Sequence, residues 1–267
     1  MPQFVHLHVH TQYSILDGQA SIQRLVDKAM ADGQPGIAVT DHGDMFGIKE
    51  FYNYVQKVKG KCKDKAAEAE ARIAALRDGT ETCADPAAEI AKCERQLEEC
   101  RRKLAFKPII GCEVYVAPGS RFDRENTNSE DRYYHLVLLA ENDTGYHNLM
   151  KIVSKGFVDG FYYKPRVDYE VLETYHEGVI ALSACLAGEV QRYLARGMYE
   201  EACRSARHYE EIFGKGNFFL ELQDHGISTQ KMVNQGLMRM SRELSMDLVA
   251  TNDIHYILAE DAANVYI

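Results

Sequence analysis

The chain is predicted to fold as an α/β protein of the closed or nearly closed β/α-barrel class, with an open doubly wound sheet as the competing arrangement. Two observations predict this. Short apolar runs alternate with amphipathic helical patterns, the signature of parallel strands joined by helical crossovers. Seven such runs occur in 267 residues, a length that suits one large α/β domain or two small ones.

Taken in order, Phe4–His10 alternates strictly, with Val5, Leu7 and Val9 on one face and His6, His8 and His10 on the other. Ser21 caps an amphipathic helix carrying Ile22, Leu25, Val26 and Ala29, which Gly33 ends. A second strand, Gly36–Thr40, runs straight into Asp41-His42-Gly43. Further strands are expected at Pro108–Val116, His135–Ala140, Val179–Ala184, Phe218–Leu222 and Asp247–Thr251. Helices fit between them at about Gly145–Phe157, Leu186–Gly197, Tyr199–Phe213 and Thr229–Ser245. One stretch breaks the rhythm. Lys61–Lys107 is rich in Ala, Glu, Lys and Arg and has no strand-like run. Ala66, Ala69, Ile73 and Leu76, then Ile90, Cys93, Leu97, Cys100 and Leu104, recur at spacings of three and four, with Asp78-Gly79 and Asp85-Pro86 between them. These features read as an inserted two-helix antiparallel hairpin with narrow seams.

Composition narrows the function. Hydrophobic residues make up 46% and charged residues 27%, so a globular core is expected. The balance is acidic, 40 Asp+Glu against 31 Lys+Arg, the opposite of a free-standing duplex-DNA binder. Any contact with nucleic acid is therefore local, through a metal site or beside a basic partner domain. Seven cysteines, an odd number without CxxC spacing, argue against a disulfide framework or a zinc ribbon. The N-terminal segment does not read as a signal peptide and no apolar run reaches membrane-span length, so a reducing cytoplasm is the expected location. The chain ends on the apolar Val265, Tyr266 and Ile267 partway through a helical pattern from Glu260, which reads as truncation.

Histidine placement carries the chemistry. His147, His176 and His208 lie in helical or loop contexts without a partner pattern, whereas His6, His8, His10, His42, His135, His225 and His255 fall at or beside strands. Period-two spacing aims His8 and His10 to one side, where both can hold one cation; His6 lies deeper and suits a packed supporting role. Asp41-His42 and Asp253-Ile254-His255 supply further nitrogen and oxygen donors at strand ends. Such clusters are costly unless a cation compensates them. Imidazole and carboxylate donors suit zinc, manganese or iron.

The segments HLHVHT (His6–Thr11), TDHG (Thr40–Gly43), GCEVYV (Gly111–Val116), YYHLVLLA, SACLAGE and TNDIHY occur in the order and context of the PHP family, the polymerase and histidinol-phosphatase hydrolases, which they resemble. YSILDG, TDHGDMFGIKEFY, SRFDR, GFYYKPR, ELQDHG and VNQGL more closely resemble the N-terminal domain of bacterial replicative polymerase alpha subunits. The likeness covers the chain apart from Lys61–Lys107. It implies one PHP domain over residues 1–267, with the 61–107 insertion, as the N-terminal part of a longer polymerase. The fold implied is a distorted seven-stranded barrel holding up to three divalent metals.

Position by position, the resemblance implies the ligands His8, His10, Asp17, His42, Glu113, His135, Cys185, Asp253 and His255. Asp17 also reads as a turn residue before Gly18, and Cys185 as a small buried apolar residue. Glu113 sits in an apolar run, where a carboxylate is costly without a cation. Asp41 is expected to orient a neighbour, His225 to serve on the substrate side or behind a ligand, and Lys164 and Arg166 to meet a substrate phosphate. A metal-bound water attacking phosphorus, with Glu113 and Asp253 at the centre, is the implied chemistry. As part of a polymerase, the domain would act on a DNA 3′ end as a 3′–5′ proofreading exonuclease beside the other polymerase domains. Alternatives are a non-catalytic metal-held scaffold docking a separate proofreading subunit, a small-molecule phosphatase, or a pyrophosphatase.

Overall fold

The computed structural model describes residues 4–125 and 132–264, so the expected helical continuation through Val265–Ile267 lies outside the described residues. The chain divides into two compact units. One contains Ile22–Ile37 and Lys49–Pro108. In it, α1 (Ile22–Ala31) buries Ile22, Leu25, Val26, Ala29 and Met30, the one-sided stripe of an amphipathic helix. Helix α2 runs unbroken from Ile48 to Asp78, so the first arm of the hairpin begins well before Lys61. Gly60 is the one glycine in that run, and a lone glycine costs only about 1 kcal/mol relative to alanine. Helix α3 (Pro86–Ala105) starts where the Asp85 carboxylate accepts the Ala88 N–H, with Pro86 in the first turn. Ala69, Ile73, Cys93 and Leu97 form the buried seam between the two arms, flanked by Ala66 and Ile90.

The other unit carries the barrel. Its strands are β1 (Gly36–Val39) from Ala38 onward, β2 (Lys107–Val116) from Ile109 onward, β3 (Tyr134–Ala140), β4 (Phe161–Tyr162), β5 (Lys164–Val167), β6 (Val179–Leu182), β7 (Phe218–Leu222) and β8 (Leu248–Ala250). Between and after them lie α4 (Asp143–Val158), α5 (Tyr169–Tyr175), α6 (Glu189–Ala195), α7 (Tyr199–Phe213) and α8 (Ser228–Leu244). The β6–β7 and β7–β8 pairs are parallel, but β3 runs antiparallel to both β2 and β6. The expectation of an all-parallel set fails there. No helix occurs among the described residues between β2 and β3, and a chain that returns without a crossover pairs antiparallel. The reversal places His135, near the start of β3, opposite Tyr115, near the end of β2.

The expected strand Phe4–His10 does not form a ladder. Instead Ala38 and Thr40 donate N–H groups to His6 and Val9 carbonyls at 2.8 and 2.9 Å on one side. On the other, His10 N–H reaches the Ile254 carbonyl at 2.7 Å and Ile254 N–H reaches that of His8 at 3.1 Å. The Thr40 hydroxyl accepts the Val9 N–H at 2.8 Å and so occupies a position a strand partner would fill. These single bonds complete a ring of seven staves: the His6–His10 segment, β1, β2, β3, β6, β7 and the chain from β8 to Ile254. Ala38, Val137, Leu139, Leu182 and Ala184 fill it, with Leu7, Ile109, Ile180, Phe219 and Val249 packed against them. The larger cluster, on the opposite strand faces, packs Val114, Leu136, Leu138, Ala181 and Leu220 against the helices through Leu149, Ile152, Tyr209, Leu237 and Met240.

The short β4–β5 hairpin was not expected. Phe161 pairs with Pro165 and Tyr162 with Lys164, which leaves Tyr163 alone at the turn, with φ +62°. β5 then pairs in parallel with the end of β2.

Candidate metal centre

By strand alternation Glu113, His135 and Glu221 stand on the same strand faces as Ile109, Val137 and Phe219, the residues lining the ring. His8, His10 and Glu113 are almost fully buried, and Glu113 is the hub. Its Oε2 lies 2.9 Å from His8 Nε2. Its Oε1 lies 2.7 Å from His42 Nδ1 and 2.8 Å from His135 Nδ1. Asp253 Oδ1 stands 3.2 Å from both His8 Nε2 and His10 Nε2. His42 Nε2 reaches Asp17 Oδ2 at 3.2 Å, and the His255 ring stacks on His10 with centroids 4.4 Å apart. Cys185 Sγ lies 3.7 Å from His135 Nδ1. All nine residues singled out as ligands thus converge on one end of the ring.

Three groups place one donor atom of each member within 4.8 Å of the others: His8, His10 and Glu113; His42, Glu113 and His135; His10, His42 and His255. The shared members join the three groups into one cluster of donors. One detail indicates that cations belong here. The Ser14 hydroxyl donates to the Asp41 carboxylate at 2.8 Å, so its oxygen accepts the His10 Nδ1 hydrogen at 3.1 Å. His10 Nε2 then carries a bare lone pair, buried and without a hydrogen-bond partner, facing Asp253 Oδ1, which also has none. Two buried acceptors 3.2 Å apart are stabilised by a proton or a cation shared between them. Divalent metal ions fit this nitrogen and oxygen donor set.

Electrostatics agree. Burial and the neighbouring His42 hold His10 down to about 4, so it is neutral and ready to coordinate. Burial opposes charge on His8 and His42, but nearby carboxylates outweigh it. Asp253, Glu221 and Glu113 raise His8 well above its usual value. Glu113 and Asp17 raise His42 to about 10. Glu113, despite burial, is held well below the usual carboxylate range by His135 and His42. Protons on His8 and His42 thus offset the carboxylates wherever cations do not. Burial raises the Cys185 thiol.

The backbone is shaped for the same end. Ala184, just before Cys185, has φ +65°, and Asp253 has φ +47°. Left-handed conformations in residues with a Cβ are uncommon and collect at functional sites. Gly43, after His42, has φ +68°, and a Cβ there would stand 2.8 Å from the Tyr115 ring and 2.9 Å from Pro165.

Supporting positions divide sharply. Asp41 accepts the Thr11 N–H at 2.6 Å, the Thr11 hydroxyl at 2.9 Å and the Ser14 hydroxyl, fixing the loop behind His10. The half-buried Lys164 lines a cavity of about 410 Å³ together with Asp17, His42 and His135. Arg166 does not reach it: the side chain is buried and donates to the carbonyls of Gly160, Arg121 and Asp123. An Arg in a strand that pairs inward with β2 serves the fold, which corrects its assignment to a phosphate. His225 is exposed; its Nε2 hydrogen goes to the Asn252 carbonyl at 2.8 Å, bracing the turn before Asp253. His6 is half-buried and contributes to none of the three donor groups.

Glu221 escaped the sequence reading. Its Oε1 accepts from His8 Nδ1 at 2.7 Å, from Gln223 at 3.0 Å and from the Thr251 hydroxyl. That bond aims His8 Nε2 into the cluster, the carboxylate–histidine–metal arrangement. The signal was present: a carboxylate inside the apolar run Phe218–Leu222, the same argument that singled out Glu113.

Fold and site together define a barrel domain with a candidate metal centre, and the chain belongs to the PHP domain family, whose model matches residues 6–225. Curated relatives are more specific. The chain is 43% identical over 259 residues to the DNA polymerase III subunit alpha of Treponema pallidum, covering 97% of this chain and 18% of that protein. It is 38% identical to the Deinococcus radiodurans subunit, covering 97% of this chain and 16% of that protein. It therefore spans less than a fifth of these relatives' length. Among solved structures, an amidohydrolase from Chromobacterium violaceum aligns over 96% of this chain and 89% of its own, with TM-score 0.50 and 14% identity, a likeness of fold alone. Among the described residues, no helix is long and apolar enough to cross a membrane.

Proposed function

We propose that this chain is the PHP domain of a DNA polymerase III alpha subunit and that it hydrolyses phosphodiester bonds, releasing nucleotides from a DNA 3′ end. The supporting observation is the pair of buried, facing atoms His10 Nε2 and Asp253 Oδ1 beside three overlapping donor groups and an open cavity. Up to three zinc, manganese or iron ions would be held by His8, His10, Asp17, His42, Glu113, His135, Cys185, Asp253 and His255. Bound there, such ions activate water and neutralise phosphate oxygens in an in-line displacement. Asp41 and Ser14 keep His10 in its coordinating tautomer, Glu221 does the same for His8, and Lys164 offers a phosphate contact at the cavity wall. Polymerisation would belong to the other domains of such a subunit.

A second reading, a metal-held scaffold docking a proofreading subunit, draws support from Ile15 and Leu16, which are 85% and 81% exposed beside the site. One experiment separates the two. With added Mn²⁺ or Zn²⁺, the wild type releases nucleotides from a labelled single-stranded oligonucleotide, and His10→Ala and Asp253→Ala abolish release. Metal bound by elemental analysis without any release would favour the scaffold.

A further inference from the structure

The cavity that Asp17, His42 and His135 line is also aromatic, with Tyr115, Tyr133, Phe157, Phe161 and Tyr163 and with Lys164 among them. Phe161 and Tyr163 are 51% and 63% exposed, and Phe157 39%. Ring exposure of this extent, continuous and beside a polar cluster, marks a binding surface. Tyr163 adds an independent observation. It forms the one-residue turn between β4 and β5 with φ +62°, a conformation that glycine adopts freely and a bulky side chain adopts at a cost. Among the described residues, the largely exposed Tyr163 ring meets the Arg132 guanidinium 4.2 Å from its centroid and the edge of Tyr162.

We infer that the Tyr163–Phe161 wall is a stacking site for an unpaired nucleobase, the base of the terminal nucleotide whose phosphodiester lies between Lys164 and the metal ligands. The inference rests on the phosphodiesterase reading above and makes the substrate a single-stranded or frayed 3′ end. The charges match: Lys164 and Arg132 stand on this wall, 5.2 Å from the Tyr115 ring and 4.2 Å from the Tyr163 ring, in a chain whose net charge is −9. Aromatic faces accept every base, so the site would discriminate by strandedness and not by sequence. A duplex end holds its last base in the stack and would have to fray before the ring could reach it.

The test reads binding, not turnover. Affinity for a fluorescent single-stranded oligothymidine is measured by anisotropy for the wild type and Tyr163→Gly, each with an intact 3′ end and with an abasic 3′-terminal residue. Glycine relieves the turn, so Tyr163→Gly is expected to melt no lower than the wild type. It is nevertheless expected to bind the intact oligonucleotide about five- to tenfold more weakly, the low end for one lost base stack. On the abasic oligonucleotide the two proteins should be equal. Phe161→Ala, another exposed ring, should show the same dependence on the terminal base. Equal weakening on both oligonucleotides would overturn the stacking role, as would unchanged affinity, which would leave the wall to a protein partner. Loss of nucleotide release in the wild type with base-dependent binding intact would instead refute the hydrolytic reading alone.

Discussion

Glu221→Gln removes one charge from the carboxylate behind His8 while keeping its size. In the native site one oxygen accepts three hydrogens: His8 Nδ1 at 2.7 Å, Gln223 Nε2 at 3.0 Å and the Thr251 hydroxyl. Hydrogen bonds to a charged acceptor contribute about 1.5–3 kcal/mol against about 0.5–1.5 for neutral ones. Neutralising Glu221 therefore weakens the hold on His8 by about 1–2 kcal/mol, and a glutamine NH₂ turned towards Nδ1 would also favour the wrong tautomer. Because His8 presents Nε2 to the cluster only when Nδ1 carries the hydrogen, most of that loss should appear in metal binding. The expected result is roughly 5- to 30-fold weaker affinity for the tightest-bound ion. Competition with a chromophoric chelator for Zn²⁺ or Mn²⁺ at neutral pH measures it, and a metal-free melting curve checks the fold. A correctly folded variant whose affinity stays within twofold of the wild type would refute the orienting role of Glu221.

Two further outcomes follow from the same geometry. A divalent ion at about a hundred times its dissociation constant should stabilise the fold by about 2.7 kcal/mol, raising Tm by roughly 5–10 °C; Asp253→Ala should abolish the rise, and scanning calorimetry with and without chelator reads both. Arg166→Lys, which forfeits part of the fork that binds the carbonyls of Gly160, Arg121 and Asp123, should lower stability by about 1–3 kcal/mol in urea denaturation. Its metal affinity should be unchanged, and a loss there with stability intact would return Arg166 to the substrate side.

The sequence made the donor-rich strand ends legible because alternation and strand-end placement are local properties. His8 and His10 need only a period of two, and Asp253 and His255 only a turn after an apolar run. The reversal of β3 was not legible, since Tyr134–Ala140 reads the same in either direction and only its partners set its sense. That reversal also hides why His135 joins the others, because it enters from the amino end of its strand. Glu221 carried a local signal, a carboxylate in an apolar run, but its partner His8 lies 213 residues away. Arg166 misled because a buried guanidinium satisfied by carbonyls has the same local sequence as one awaiting a phosphate.

The seventh stave has a consequence for synthesis. His8 and His10 are held in place by Ile254 and Asp253, which are made long after them. At ribosomal speeds of about 5–20 residues per second, the two segments are separated by tens of seconds. Through that interval the leading histidines are exposed to any ion in the surrounding pool, and the binding strengths of free imidazoles, not those of the finished cluster, govern what they pick up. Correct loading must therefore either follow closure or exchange out whatever arrived first.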